Sequence, residues 1–450
     1  MNGVYMKVWA LSALMAALVQ SAWAEDTPAV AEKTGTGISA VQVEKTGKQP
    51  LQPERAVAIA LAGNPGLAEM QARAKALAAV PSQVATLPDP TLSMGLKNMP
   101  TDSFSFSQEA MTVFEIGFSQ ALPYPGKLAL REKAAAYEAE GADASVEELR
   151  LALARDVRMA WWNLFYLDHA LEITDRNQQL MRQFIEVAQI KYAVGKGLQQ
   201  DVLLAQTELA KLLDMQIQLK GMRRVEETRL NALLNRPTMQ EITLPNISDA
   251  ELREITNERE LLQQAEEHRP LLLAQRSLIN AAQARVDLSH KDHHPDFSVG
   301  VAYGARNGLN PDKSQRADLA SLLFSMSLPI YSGSKQDKAV DQRNAELLKS
   351  QHAFDDARIR VQREVSTALA EFQQARSQYG LLRDGIIPQT QQTVAAMLAG
   401  YQVNKVDFLN LVNAQVNLYS YETKRWKTYS AANQSLARLA AAVGKENINE

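Results

Sequence analysis

The richest chemistry in the sequence lies in one short run. His290, His293 and His294 bring three imidazoles close to Asp292, a donor set suited to a soft or borderline divalent ion. The run also stands immediately before a segment of alternating apolar residues, where a polar junction is the competing reading. Met94, Met99 and Met111 invite a copper or silver reading, but Met94 falls on the apolar side of an alternating segment, where methionine is a common gap filler. No metal site is assigned. The chain has no cysteine, which excludes thiolate metal centres, disulfides and a Cys nucleophile. It has no Walker A loop, dinucleotide fingerprint, HExxH helix, GxSxG elbow or EF-hand loop, so no cofactor and no catalysis are expected.

The elements that carry these residues belong to a packed chain of 450 residues, 46% hydrophobic and 22% charged. Lys and Arg number 48 against 51 Asp and Glu, and this balance excludes the basic excess that drives nucleic-acid binding. Residues 1–24 read as an export signal, with Lys7 as the charge, Trp9 to Val19 as a short apolar run and Ala22-Trp23-Ala24 as the cleavage site. The run is shorter than the roughly 20 residues that span a bilayer, which weighs against an anchor helix. Residues 25–50 read as a flexible N-terminal segment. Beyond it every long apolar pattern is interrupted by charge or glutamine, so any membrane crossing must be made by strands.

The chain repeats itself at an offset of roughly 206 to 209 residues. Pro88-Asp89 recurs as Pro295-Asp296, Leu122-Pro123 as Leu328-Pro329, Tyr192, Val194 and Lys196 as Tyr401, Val403 and Lys405, and Arg229-Leu230 as Arg438-Leu439. The first repeat is 51–236, the second 259–444, with a connector at 237–258 and a tail at 445–450. Each repeat is read as a helix, two strands and a long helical hairpin. Gly126 to Val194 has no proline and is rich in Ala, Leu, Glu, Arg and Gln, which predicts one helix about 100 Å long. Such a helix belongs in a coiled coil or helical repeat. Trp161 and Trp162 sit on its apolar stripe as packing residues. Gly195-Lys196-Gly197 breaks it, and Leu198 to Asn235 returns antiparallel. The second hairpin is Lys335 to Val403, a turn at Asn404-Lys405, and Val406 to Val443, with a kink expected at Pro388.

Ahead of each hairpin lie two period-two segments. Leu92, Met94 and Leu96; Phe114, Ile116, Phe118 and Leu122; Phe297, Val299, Val301 and Tyr303; and Leu322, Phe324, Met326 and Leu328 each make an apolar face opposite small or polar neighbours. That is the requirement of a transmembrane β-barrel strand, although a soluble sheet covered by helices has the same alternation. Four strands are fewer than the eight of the smallest membrane barrels, so several chains must share one.

This order, with SQALPYPGK (Ser119 to Lys127), KYAVGKGLQQDVLLAQ (Lys191 to Gln206) and GYQVNKVDFLNLVNAQ (Gly400 to Gln415), resembles the TolC family of outer-membrane efflux factors from about Leu51 to Gly444. The resemblance implies a mainly α fold with a small β part, internally duplicated. Each chain contributes four strands to a shared transmembrane β-barrel in the cell outer membrane, among outer-membrane lipid. The long antiparallel helical hairpins form a periplasmic α-barrel. It further implies a homotrimer, a periplasmic adaptor (membrane fusion) protein and an inner-membrane RND-type pump as partners. LPDPTLSMGLKNMP (Leu87 to Pro100), QEAMT and LPYPGK look most like the branch serving cobalt-zinc-cadmium or copper-silver pumps. A multidrug or type I secretion exit duct is the alternative, and an exported non-channel coiled-coil protein a second. The family's closed state is held by links between neighbouring hairpins, and these fall on Asp201 and Tyr401 here, a phenol donating to a carboxylate. Asp201 also has a plainer reading, as an acid favoured in the first turn of a helix. The second latch departs from the family pattern, with Val406 where Arg is expected, opposite Gln200. The entrance ring has Asn410 and Asn413 in place of carboxylates, and neutral amides trap cations more weakly. Gly195, Lys196, Gly197 and Leu198, with Val403, Asn404 and Lys405, fall at the tips that engage the adaptor.

Overall fold

The computed structural model describes residues 50–246 and 251–448. The expected export signal and nearly all of the 25–50 segment lie outside the described residues, as do 247–250 of the connector and 449–450 of the tail. The elements are α1 (Pro53–Gly63), α2 (Pro65–Ala78), α3 (Val80–Ala85), β1 (Thr91–Lys97), β2 (Val113–Leu122), α4 (Lys127–Ala193), α5 (Gln199–Leu233), α6 (Glu258–His268), α7 (Pro270–Lys291), β3 (Phe297–Arg306), β4 (Leu319–Met326), α8 (Gln336–Leu381), a π-helical segment (Leu382–Ile386), α9 (Ile387–Gln402) and α10 (Phe408–Val443). The chain forms two compact units, one built around the strands (Thr86–Leu128 and Lys291–Ser332) and one around the helices. The expected single helix ahead of each strand pair is broken. Pro65 and Pro270 cannot donate to the preceding turn, so new helices start at α2 and α7.

The helical unit is two antiparallel hairpins packed side by side. Asp168 pairs with Arg223 at 2.6 Å and Gln178 donates to the Leu212 carbonyl at 3.3 Å, which fixes α4 against α5. Glu371 with Arg438 at 2.9 Å does the same for α8 and α10. The hairpins meet through Arg176 and Glu422 at 2.7 Å and through Gln415, whose amide donates to Asn177 at 2.7 Å. At the centre Trp161 stacks on Phe165 at 5.5 Å, Phe165 meets Trp426 edge-on at 5.6 Å, and His169 lies flat on Trp426 at 3.8 Å. Trp161 is fully buried, and its indole N–H donates to the Leu51 carbonyl at 2.7 Å, so its one polar atom is satisfied. Both tryptophans belong to this aromatic core. The connector lies along the helices: Ile242 is buried, its N–H donating to Glu227 at 2.8 Å and its carbonyl accepting from Arg223 at 2.9 Å.

The duplication extends to how the helices stop. Gly195 (φ 70°) and Asn404 (φ 59°) follow α4 and α9 in left-handed conformation, and Asn235 (φ 52°) and Gly444 (φ 86°) follow α5 and α10. After α4, Gly195 N–H bonds the Tyr192 carbonyl at 3.0 Å and Lys196 N–H the Lys191 carbonyl at 2.8 Å. The same two bonds recur after each of the other three helices, a Schellman cap every time. Only Gly and Asn adopt that conformation at low cost, and the two halves exchange them.

The kink expected at Pro388 takes another form. α8 passes into the π segment Leu382–Ile386 before α9 begins, with Pro388 in its first turn. A proline there has no N–H for the carbonyl one turn back and its ring crowds that carbonyl. One wider turn upstream absorbs both defects.

The strand unit is a single antiparallel sheet in the order β1-β2-β3-β4. Its register sets Leu92 opposite Phe118, Met94 opposite Ile116, Phe118 opposite Val301, Ile116 opposite Tyr303, Val299 opposite Phe324 and Val301 opposite Leu322. The four apolar rows therefore merge into one face, as the alternation predicts, and most of their residues are exposed in the single chain, with Ile116, Leu122 and Phe297 half-buried. Leu328 lies beyond β4. Leu319 and Leu323 depart from the pattern, standing on the small-residue face opposite Gly304 and Gly300. Glycine admits them because a side chain at Gly300 would already meet Ser119 Cβ at 3.3 Å.

The caps yield a test. A Cβ at Gly195 meets nothing within 4 Å, whereas one at Gly444 would lie 2.8 Å from the His268 carbonyl oxygen. Gly195→Asn should therefore change stability by less than about 1 kcal/mol, and Gly444→Asn should cost about 2 kcal/mol or more. Thermal denaturation of the detergent-solubilised protein, followed by circular dichroism, measures both.

Candidate functional site

The expected site residues converge on the turns at the ends of the two hairpins. Val194, Leu198 and Val403 are each about three-fifths exposed there, an apolar surface with no cover in the single chain. Lys196, Asn404 and Lys405 are exposed beside them, while Gly197 is half-buried. Gly197 is small for a packing reason: a Cβ there would lie 2.9 Å from Lys191 Cβ. In the second tip the sizes are reversed. Gly400 stands where the first has Lys191, Val406 stands where the first has Gly197, and a Cβ at Gly400 would lie 2.5 Å from Val406 Cγ2. Val406 thus fills its own turn.

Tyr192 and Tyr401 are counterparts, yet Tyr192 is half exposed and Tyr401 is 5% exposed. Tyr401 is held by its ring. Phe408 packs on it at 5.1 Å, and the Lys191 ammonium lies 4.0 Å from its centroid. The same ammonium donates to the Tyr401 carbonyl and to the Asn404 side-chain oxygen, the latter at 2.8 Å. Lys191 is therefore a pin from the first hairpin into the second. It went unassigned in the sequence, where its signal was a break in the repeat, Lys-Tyr in one half against Gly-Tyr in the other.

The phenol of Tyr401 is buried without a hydrogen-bond partner among the described residues, so its bond to Asp201 does not form within one chain. The two groups do sense each other. Burial, and then the Asp201 charge, push the Tyr401 phenol above its ordinary range. Burial likewise raises the Asp201 carboxyl; a backbone hydrogen bond at Leu198 and the Lys191 charge oppose the rise and Asp407 adds to it. A carboxyl with a raised folded-state pKa stabilises most when protonated, and that contribution is lost as pH rises through the raised value. Gln200 is exposed on the first turn of α5, and Asn410 and Asn413 are exposed on the first two turns of α10.

His294 and Asp292 of the histidine run have structural work in the strand unit. His294 stacks on Tyr124 at 4.3 Å. Lys127, almost wholly buried, pairs with Asp292 and Asp296, each at 3.0 Å, and the Tyr124 N–H donates to Asp296 at 2.7 Å. Gly126 takes a left-handed φ of 92° to deliver Lys127. The LPYPGK motif of the first half thus clasps the His-Pro-Asp sequence of the second. Among the described residues no three His, Asp or Glu side chains are grouped to hold a metal ion. Nor, among them, is any helix long and apolar enough to cross a membrane.

The comparisons with known proteins follow this anatomy. The outer membrane efflux protein family model matches residues 56–236 and 261–445, one segment for each repeat. The cobalt-zinc-cadmium resistance protein CzcC of Cupriavidus metallidurans is 22% identical over 409 residues, 89% of this chain and 93% of that protein. The outer membrane protein VceC of Vibrio cholerae superposes with a TM-score of 0.73 at 16% identity, over 88% of this chain and 96% of its own. CusC superposes with a TM-score of 0.73 at 15% identity, over 88% and 92%. With both repeats matched by the family model and the fold shared over 88% of the chain, the chain belongs to the outer membrane efflux protein family.

Proposed function

We propose that this outer-membrane protein is the passive exit duct of a tripartite efflux system, a homotrimer that passes heavy-metal cations delivered by an inner-membrane RND-type pump through a periplasmic adaptor. The observation that carries the reading is the sheet: four strands, one continuous exposed apolar face and two open edges, β1 and β4. Unpaired strand edges are not tolerated in hydrocarbon, and three copies would supply the twelve strands of a closed barrel. The cargo rests on the likeness to the cobalt-zinc-cadmium resistance protein over nearly the whole of both chains. A shared fold does not fix cargo, so a multidrug or type I secretion duct is the second reading.

The tips suit a duct whose energy and direction come from its partners. The exposed Val194, Leu198 and Val403 form the surface for the adaptor. Asn410 and Asn413 would line the entrance with neutral amides, which detain a divalent cation less than carboxylates do. Opening moves the second hairpin, whose incoming helix already carries the π segment, away from its neighbour. The Lys191 pin opposes that motion, and the Tyr401 phenol, buried beside the Asp201 charge without a bond to it, would add a second restraint if a side-chain movement brought the two together.

Two outcomes are expected. A strain lacking the protein should become selectively sensitive to cobalt, zinc and cadmium, with growth restored by the intact gene; sensitivity to dyes and detergents alone would move the cargo to organic compounds. In planar bilayers Lys191→Met should raise single-channel conductance, because it removes the ammonium that ties the first hairpin to Asn404 and the Tyr401 ring, and Tyr401→Phe should do likewise where the phenol reaches Asp201 in the assembled tip, a bond to a charged group being worth about 1.5 to 3 kcal/mol. An unchanged conductance for Tyr401→Phe with a small gain in thermal stability would make the phenol a packing group instead.

A further inference from the structure

The sheet contains a template for its own continuation. Phe118 and Ser119 of β2 recur as Phe324 and Ser325 of β4, and Pro88-Asp89 ahead of β1 recurs as Pro295-Asp296 ahead of β3. The registers obey the same correspondence. Leu92 faces Phe118 and Met94 faces Ile116 in the first half; their counterparts Val299 and Val301 face Phe324 and Leu322 in the second. The duplication therefore preserves pairing residue for residue. What remains is the β2 to β3 junction, where Phe118 faces Val301 and Ile116 faces Tyr303, closed by the ion pairs of Lys127 with Asp292 and Asp296. Its counterpart is a junction of β4 to β1, and both of these are edge strands of one chain.

We propose that β4 of one copy pairs antiparallel with β1 of the next in the register Leu322 with Leu96, Phe324 with Met94 and Met326 with Leu92, and that Lys335 of the first copy forms an ion pair with Asp89 of the second. This rests on the trimeric duct proposed above and specifies its interface. Lys335 is the counterpart of Lys127: Leu328-Pro329-Ile330-Tyr331-Ser332-Gly333-Ser334-Lys335 follows β4 as Leu122-Pro123-Tyr124-Pro125-Gly126-Lys127 follows β2. Asp89 is the counterpart of Asp296. Both are exposed in the single chain, whereas Lys127 is buried in its completed clasp. Two further facts agree with the register. It keeps every apolar residue of the four rows on one face. It also sets Leu323, which stands on the small-residue face opposite Gly300, opposite Gly95 on its other side, where a Cβ would have open space.

The chain has no cysteine, so disulfide mapping in the full-length protein in outer membranes has no background. Residues directly opposite on neighbouring strands lie within disulfide reach, and residues four positions away along a strand do not. Met94→Cys with Phe324→Cys should give covalent dimers and trimers on mild oxidation, and Met94→Cys with Ala320→Cys should not. Separately, Asp89→Lys and Lys335→Asp should each lower the temperature at which the SDS-resistant oligomer dissociates, and the two together should restore it. Equal linking of both cysteine pairs, or a double charge swap no better than the singles, would overturn the interface. Amine-reactive cross-linking of the parent protein separates the levels. A trimer that fails to link through Met94 and Phe324 refutes this register alone, whereas a monomer refutes the duct as well.

Discussion

In hydrocarbon a backbone N–H or C=O without a partner costs several kcal/mol, and nothing in a lipid tail can supply one. A sheet of four strands has two such rows, on β1 and β4. The exposed face of Leu, Met, Phe, Val and Tyr cannot be left in water, and the open edges cannot be left in lipid. Only closure on further copies meets both conditions. The rest of the chain accords with that demand: a duplicated sequence supplies equal strand pairs, and equal pairs can be joined around a ring without a special seam.

Duplication alone would make the two hairpins equivalent, and a barrel of equivalent helices has no preferred way to open. The structure breaks the equivalence at few places. The exchange of Lys191 and Gly197 for Gly400 and Val406 lets one tip send a cation across and lets the other receive it on the Tyr401 ring. The π segment gives the second hairpin a wide turn where α4 runs without interruption. Between these sites the halves keep the same caps, so the differences are concentrated where movement would be needed.

Much of this was legible because it is periodic. Alternation of Leu92, Met94 and Leu96 fixes the face of β1, and the absence of proline from Gly126 to Val194 fixes α4. Leu323 was not legible, because a leucine on the small face is admitted only by a glycine on another strand. Pro388 announced a defect but not its form, since an α-helix can meet proline by bending or by a wider turn. The tip positions are marked by a motif, whereas Lys191 shows in the sequence only as a break in the repeat, because its partners, a carbonyl and an aromatic face, are not specified by residue type. The histidine run has the composition of a metal site and equally that of a polar junction, and the sequence does not reveal that Tyr124 stacks on His294 while Lys127 pairs with Asp292.

The clasp at Lys127 also indicates how such a protein avoids closing on the wrong partner. Burying an ammonium is costly unless carboxylates meet it, so the β2 to β3 junction is completed only when the Pro-Asp sequence of the second half arrives in register. A slip of one residue would move every apolar side chain to the opposite face and leave Lys127 buried without its counter-charges. Edge strands are otherwise prone to indiscriminate pairing, particularly when they carry no charge, as is the case for β4. A charge pair at the end of each junction turns that sticky edge into a selective one. The strands alone supply adhesion, while the lysine and aspartates decide the register in which adhesion is allowed.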